Sequence, residues 1–163
     1  MTARVLAVAA LAVLLLAPPA LAAEWGLIRP GVSTTKTVRE RYGAPSRTEQ
    51  VKIDKYDTER WIYEGEKAPS GIVRMTVDFG LVHDNKYRAD VVRVLQLEPH
   101  GGTFNRGVIG NGWGFPDGNG KTGDEEFFVY KDGLLVYFAP DGWNVRLMLF
   151  TVPQPRDPTE ERR

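Results

Sequence analysis

The sequence predicts an α+β protein in which short helical segments pack on antiparallel β-sheet. Three observations carry that expectation. One order of landmark residues occurs twice along the chain. Runs rich in β-branched and aromatic residues, partly alternating, are separated by Gly, Pro, Asn and Asp, as half-buried antiparallel strands require. Helical signals are confined to one short capped stretch in the first half and a glycine-rich stretch in the second. With 42% apolar and 26% charged residues among 163, the chain has the composition of a folded protein with a core of its own.

Residues 1–22 read as a signal peptide. Arg4 supplies the positive n-region, residues 5–17 are an almost unbroken apolar run, and Ala20-Leu21-Ala22 is a small-x-small cleavage site. The apolar run is about 13 residues long, short of the roughly 20 that span a bilayer, and Pro18 and Pro19 end it. Cleavage then makes Ala23 the first residue of a soluble protein that is periplasmic or secreted. No later stretch reaches spanning length, so the mature chain is expected to have no transmembrane segment.

Ser33 or Thr34 can cap a helix whose apolar face carries Val38 and Tyr42; Gly43 suits its left-handed exit, and Pro45 prevents its resumption. Strands are expected at 49–57, 58–65, 72–80 and 89–98, with the polar connections 67–71 and 82–88 joining neighbours as hairpins. Pro99, Gly101 and Gly102 punctuate the chain and divide a first repeat, 23–98, from a shorter second one, 99–152. There, residues 103–113 replace the helix but are glycine-rich, which predicts one short helical turn at most. Lys131-Asp132-Gly133 and Pro140-Asp141-Gly142 are tight turns between three short strands. The tail, 153–163, holds prolines and mixed charge and is expected to be loose.

Composition excludes several functions. Lys plus Arg number 21 and Asp plus Glu 21, for a net charge of +0, so the basic excess that nucleic-acid binding needs is missing. The chain has no cysteine, hence no disulfide, no thiolate metal site, no cysteine nucleophile and no lipid anchor on an N-terminal cysteine. Gly120-Lys121-Thr122 evokes a phosphate loop, but Phe115 stands where its first glycine belongs. The acids of 117–126 do not make an EF-hand, because the twelfth position from Asp117 is Phe128; a flexible linker is the reading there. His83 and His100 fall in polar turns. No catalytic, cofactor-binding or metal-ligating residue is expected, and no cofactor. Glu59, Glu64, Asp78 and Asp90 could be paired for glycoside hydrolysis only arbitrarily.

The aromatic residues are more informative. Trp61, Tyr63, Trp113, Tyr130, Tyr137 and Trp143 fall on expected elements or their ends and are the candidate partner-binding residues. Trp61 and Tyr63, two apart on a strand, share a face, whereas Tyr137 and Phe138 cannot. The same rings could instead be buried between packed layers.

The first half, with a capped helix ending in aromatic-Gly-x-Pro, then Trp-x-Tyr and a strand ending in Phe, resembles the SmpA/OmlA (BamE-like) family of small envelope proteins. Gly31, Thr34, Val38, Gly43, Pro45, Trp61, Tyr63 and Phe79 carry the resemblance. Two such units in one exported chain look like the tandem arrangement of the beta-lactamase inhibitor protein. The resemblance implies two BamE-like repeats and protein–protein contact in the envelope, in assembly or inhibition, without catalysis. Family members are typically lipoproteins, and the inhibitor protein relies on disulfides; this chain lacks the cysteines for either. The expected function is thus a noncatalytic protein-binding module of the cell envelope with an envelope or secreted protein as partner. The alternative is an envelope hydrolase or carbohydrate-binding module, which would need a deep pocket with convergent carboxylates, or Trp61 and Trp113 stacked on sugar.

Overall fold

The computed structural model describes residues 23–153; the signal-peptide reading of 1–22, and the tail after Pro153, lie outside the described residues. In chain order the elements are α1 (Thr35–Tyr42), β1 (Arg47–Ile53), β2 (Tyr56–Glu64), β3 (Ile72–His83), β4 (Lys86–Pro99), α2 (Arg106–Trp113), β5 (Gly118–Thr122), β6 (Glu125–Tyr130), β7 (Leu134–Phe138) and β8 (Val145–Thr151). All the strands join one antiparallel sheet in the order β1-β2-β3-β4-β8-β7-β6-β5. No helix among the described residues is long and apolar enough to cross a membrane.

This corrects the expected fold class. The protein is mostly β, one eight-stranded sheet carrying two helices of eight residues each, and not an α+β pair of BamE-like repeats. The seam is β4 with β8, where Val94, Leu95, Gln96 and Leu97 pair with Thr151, Phe150, Leu149 and Met148. Nothing local encodes that pairing, because residues far apart in sequence meet there. The strand β4 itself runs through Glu98 to Pro99, into the expected junction between the halves.

Each half nevertheless follows one order, a helix and then a four-strand meander. Thr34 and Asn105 stand at the two helix N-caps. Val38 and Ile109 are the fully buried residues of the helices, each contributing about 1.5–3 kcal/mol by leaving water. Gly43 and Gly114 end them at φ 73° and 77°, a region that favours glycine. A tyrosine from the sheet then reaches each exit: the hydroxyl of Tyr63 donates to the Gly43 carbonyl at 3.0 Å, and that of Tyr130 to the Gly114 carbonyl at 3.1 Å.

Two further expectations fail in the second half. The α2 helix has two turns, not one, because the Asn105 side chain accepts from Val108 N at 3.0 Å and Ile109 anchors the segment in the core. These outweigh the helix-weakening effect of Gly107, Gly110 and Gly112. The expected flexible linker contains β5, which pairs with β6 from Gly118↔Val129 to Thr122↔Glu125. Its glycine is used: a Cβ at Gly120 would lie 2.5 Å from Cζ of Phe127, so the ring covers the bare backbone. The second meander thus has four strands where three were expected.

The hairpin at Asp84-Asn85 shows turn chemistry at work. His83 pairs with Lys86, leaving a two-residue loop with φ of 49° and 59°, values that Asn and Asp tolerate better than most residues.

Candidate functional site

Alternation along the strands gives the sheet two faces. One lies under the helices and forms the core: Trp61, Tyr63, Met75, Val77, Phe79, Leu95 and Leu97 from the first half, with Tyr130, Leu134, Val136, Phe138, Met148 and Phe150 from the second. The residues between them point to the other, open face. The candidate site lies there, and its two halves differ.

In the first half the open face is a lattice of paired charges. Arg60 sets Nε 2.6 Å from Asp78 Oδ1 and Nη2 3.2 Å from Oδ2, and Arg93 stands 3.7 Å from the same carboxylate. Arg74 bridges Glu64 at 3.2 Å and Glu98 at 3.4 Å; Arg47 reaches Glu64 at 3.3 Å and also pairs with Glu49. Hydrogen bonds from Arg74 and then Arg47 hold the Glu64 carboxyl below its ordinary range. The hydrogen bond to Asp78 raises the Arg60 guanidinium further above neutrality, and that to Glu64 does the same for Arg74. Between these groups is a shallow hollow of about 260 Å³ floored by Ile62 and Thr76, both buried. Arg47, Arg60, Arg74 and Arg93 face Glu49, Glu64, Asp78 and Glu98, so the lattice has no net charge to attract a small ion.

In the second half the same face is apolar. Leu149 lies opposite Leu135, and Leu135 opposite Val129; Tyr137 lies opposite both Leu147 and Phe127. All six are half-buried, and the rings of Phe127 and Tyr137 are 5.6 Å apart. The register continues the row into the first half, since Gln96 pairs with Leu149. An apolar patch therefore adjoins a neutral, hydrogen-bonding lattice.

The candidate aromatics divide. Trp61 (3% exposed), Tyr63 (0%) and Tyr130 (6%) belong to the core and are not available to a partner. Trp61 packs edge-on against Phe79 at 4.8 Å, donates Nε1–H to Glu59 and lies under the Arg39 guanidinium. Burial pushes the Tyr63 phenol up to about 12 and raises that of Tyr130. Trp113 is half-buried, 6.2 Å from Phe150. Trp143 is 52% exposed in the β7–β8 turn, which Asp141 orders by accepting from the amides of Trp143 and Asn144. It lies beside Gly107 of α2, on the helix side, away from Tyr137. Of the six, only Tyr137 is on the open-face patch.

Leu135, Leu147, Leu149, Phe127 and Val129 were missed by reasoning from aromatics. Their signal is present as a failure of alternation: β7 reads Leu-Leu-Val-Tyr-Phe and β8 Val-Arg-Leu-Met-Leu-Phe-Thr, apolar at both parities, which means apolar on both faces. Among the acids weighed for hydrolysis, Glu64 and Asp78 are on the open face, each engaged by arginine, while Glu59 points with Trp61 to the helix side. Among the described residues no group of three His, Cys, Asp or Glu could hold a metal ion.

The chain matches no family model and no curated protein. Among solved structures it is similar to a DUF4309 family protein (YjgB) from Bacillus subtilis subsp. subtilis str. 168, at 15% identity over 75% of this chain and 80% of that one, with a TM-score of 0.45.

Proposed function

We propose that this protein is an exported, noncatalytic binding module of the cell envelope that takes a protein partner on the open face of its sheet. The observation that carries the reading is the apolar row Leu149, Leu135 and Val129 with Tyr137, Leu147 and Phe127 beside it, only half-buried on a face that the helices do not cover. An interface places such residues at its centre and hydrogen-bonding charges at its rim. The Arg–Glu lattice supplies the rim along one side. The leader-like residues 1–22 support export, and the resemblance of Gly31, Thr34, Gly43, Pro45, Trp61 and Tyr63 to the SmpA/OmlA family supports an envelope partner. Near-neutral charge leaves little long-range steering, so encounter is expected to be slow and only weakly salt-dependent.

Affinity capture from an envelope fraction tests the reading, with the wild-type chain beside Leu149→Lys and Tyr137→Asp. The wild type is expected to retain a defined protein that both variants lose while keeping their folded circular-dichroism spectrum. Equal capture by all three, or turnover of a small substrate with no protein retained, would overturn it.

A further inference from the structure

The sheet ends on two edge strands, β1 and β5, which stand in matched places of the two meanders. Gly43-Ala44-Pro45-Ser46 leads into one and Gly114-Phe115-Pro116-Asp117 into the other. The matched positions are filled differently. Arg47 and Glu49 of β1 lie opposite Ile62 and Arg60, and both join the charge lattice of the open face. In β5 the corresponding residues are Gly118 and Gly120, opposite Val129 and Phe127. Neither glycine has a positive φ, so backbone conformation does not call for them. Gly120 makes room for its own Phe127 ring, but a Cβ at Gly118 would meet nothing within 4 Å. A strand glycine that its own fold does not use is one mark of close approach by another backbone.

Charged side chains guard a sheet edge against pairing, whereas bare backbone leaves it open. Among the described residues no strand pairs with the outer side of β5. Thr122 and Glu125 close a two-residue turn at Gly123-Asp124, so the main-chain groups of Thr122 face β6 and, by alternation, those of Asn119 and Lys121 face outward. We propose that a second copy of this chain pairs with β5, antiparallel, about a two-fold axis at Gly120. Asn119 and Lys121 then exchange main-chain hydrogen bonds with Lys121 and Asn119 of the second copy. Each ammonium stands opposite an amide side chain, so no like charges meet. At the axis the Gly120 residues form the close pair, with Cα atoms about 4.5 Å apart, and the Phe127 rings that lie over them come together on the open face. The two apolar patches become one. A second copy is favoured over a foreign strand because this edge is its own complement: it is bare where the copies come closest, and its one charged residue, Lys121, falls opposite Asn119. Both outer edges of the doubled sheet are then β1, guarded by Arg47 and Glu49, so growth stops at a closed dimer. The pairing depends on neither the export nor the partner-binding reading.

The test uses the full chain as recovered from expression. An edge of five residues is a small interface, so sedimentation velocity is expected to show monomer giving way to dimer across about 1–500 µM. Asn119→Lys sets like charges opposite each other at both ends of the pairing and is expected to weaken association about tenfold, whereas Asn119→Glu, facing Lys121, strengthens it by a similar factor. Position 119 is exposed, and both variants should keep the circular-dichroism spectrum of the wild type. The chain has no cysteine, so Asn119→Cys chains mixed with Lys121→Cys chains read the register directly. Cα atoms of a hydrogen-bonded pair are about 5.5 Å apart, within reach of a disulfide, and the mixed disulfide, resolved by mass, should exceed either homodimer. A monomer at every concentration would overturn the proposal, as would a dimer that ignores both charge variants or forms no mixed disulfide. Protection of the β5 amides from hydrogen exchange only when a different protein is added would give the edge to a foreign strand, and would overturn it too.

Discussion

The two halves build matched interiors and opposite exteriors. Under the helices, Val38 answers Ile109, Tyr63 answers Tyr130, and the edge-to-face pair Trp61–Phe79 at 4.8 Å answers Phe128–Phe138 at 4.8 Å. On the open face, the second and third strands of each meander carry Arg60, Glu64, Arg74 and Asp78 in the first half and Phe127, Val129, Leu135 and Tyr137 in the second. The comparison teaches that helix-facing positions are held by packing, whereas the alternate positions are free to diverge towards a lattice or a patch. The helices diverge in the same way: α1 exposes Lys36, Arg39, Glu40 and Arg41, while α2 exposes glycines with Val108 at its side and Phe115, 98% exposed, just beyond it.

The matched interior can be broken most severely at its aromatic pairs. Phe79→Ala and Phe138→Ala are each expected to cost about 3–5 kcal/mol in urea denaturation. Phe79 should be the worse, because its partner Trp61 is itself buried, whereas half-buried Phe128 can collapse into the gap. Since one sheet spans both halves, each variant should still unfold in a single transition; two transitions would show the halves to be energetically separate.

Next come the glycines that open the third strand of each meander. Gly133, at φ 100°, faces the Thr151 main chain closely, while at Gly71, φ 79°, a Cβ would meet only the Thr103 methyl at 2.9 Å. Backbone cannot yield as an exposed side chain can, so Gly133→Ala is expected to cost about 2–3 kcal/mol and Gly71→Ala about 1. Equal losses in thermal melts would contradict that distinction. Smaller again is the pair Tyr63→Phe and Tyr130→Phe. Each removes one hydrogen bond to a helix-exit carbonyl and should cost about 1 kcal/mol, with Tyr63 the larger because it is the more buried.

The smallest effect separates the exteriors. Because Arg74 and Arg47 lower the Glu64 pKa, its stabilising contribution is present above the ordinary carboxylate range and is lost as pH falls through the lowered value. Carbon-detected NMR titration should find Glu64 protonating later than an ordinary glutamate on acidification, and Glu64→Gln should reduce the acid sensitivity of stability slightly. Titration of Glu64 at its ordinary value would mean that the lattice pairs are too screened to matter.

What the sequence reveals follows from range. The Thr34 cap, the Gly43 exit and the arrest at Pro45 are short-range and were legible, as was most of the first meander; its turns were less so, since Asp54-Lys55 interrupts the strand expected at 49–57, and β3 and β4 continue to His83 and from Lys86, inside the connection expected at 82–88. The second helix was underestimated because its glycines speak locally, whereas the Asn105 cap and the burial of Ile109 act through the rest of the fold. The β5 strand was hidden because Gly118 to Thr122 has no strand character of its own and borrows it from β6. The seam between β4 and β8 depends on residues far apart in the chain, so the fold class was misjudged there. At the candidate site, aromatic type was a poor guide, since Trp61, Tyr63 and Tyr130 are ring-shaped core. The better signal was the unbroken apolar run of β7, whose second parity has no role in the core.

The strand order also fixes how the molecule must assemble in time. Every neighbouring pair in the sheet except β4 with β8 is consecutive in the chain, so each meander can zip by short loop closures that are quick on the microsecond scale. The slow act is bringing two preformed ribbons edge to edge, and its entropic cost grows with the connection between them. Lengthening the exposed stretch from His100 to Thr103 should therefore retard refolding while leaving the unfolding rate almost untouched.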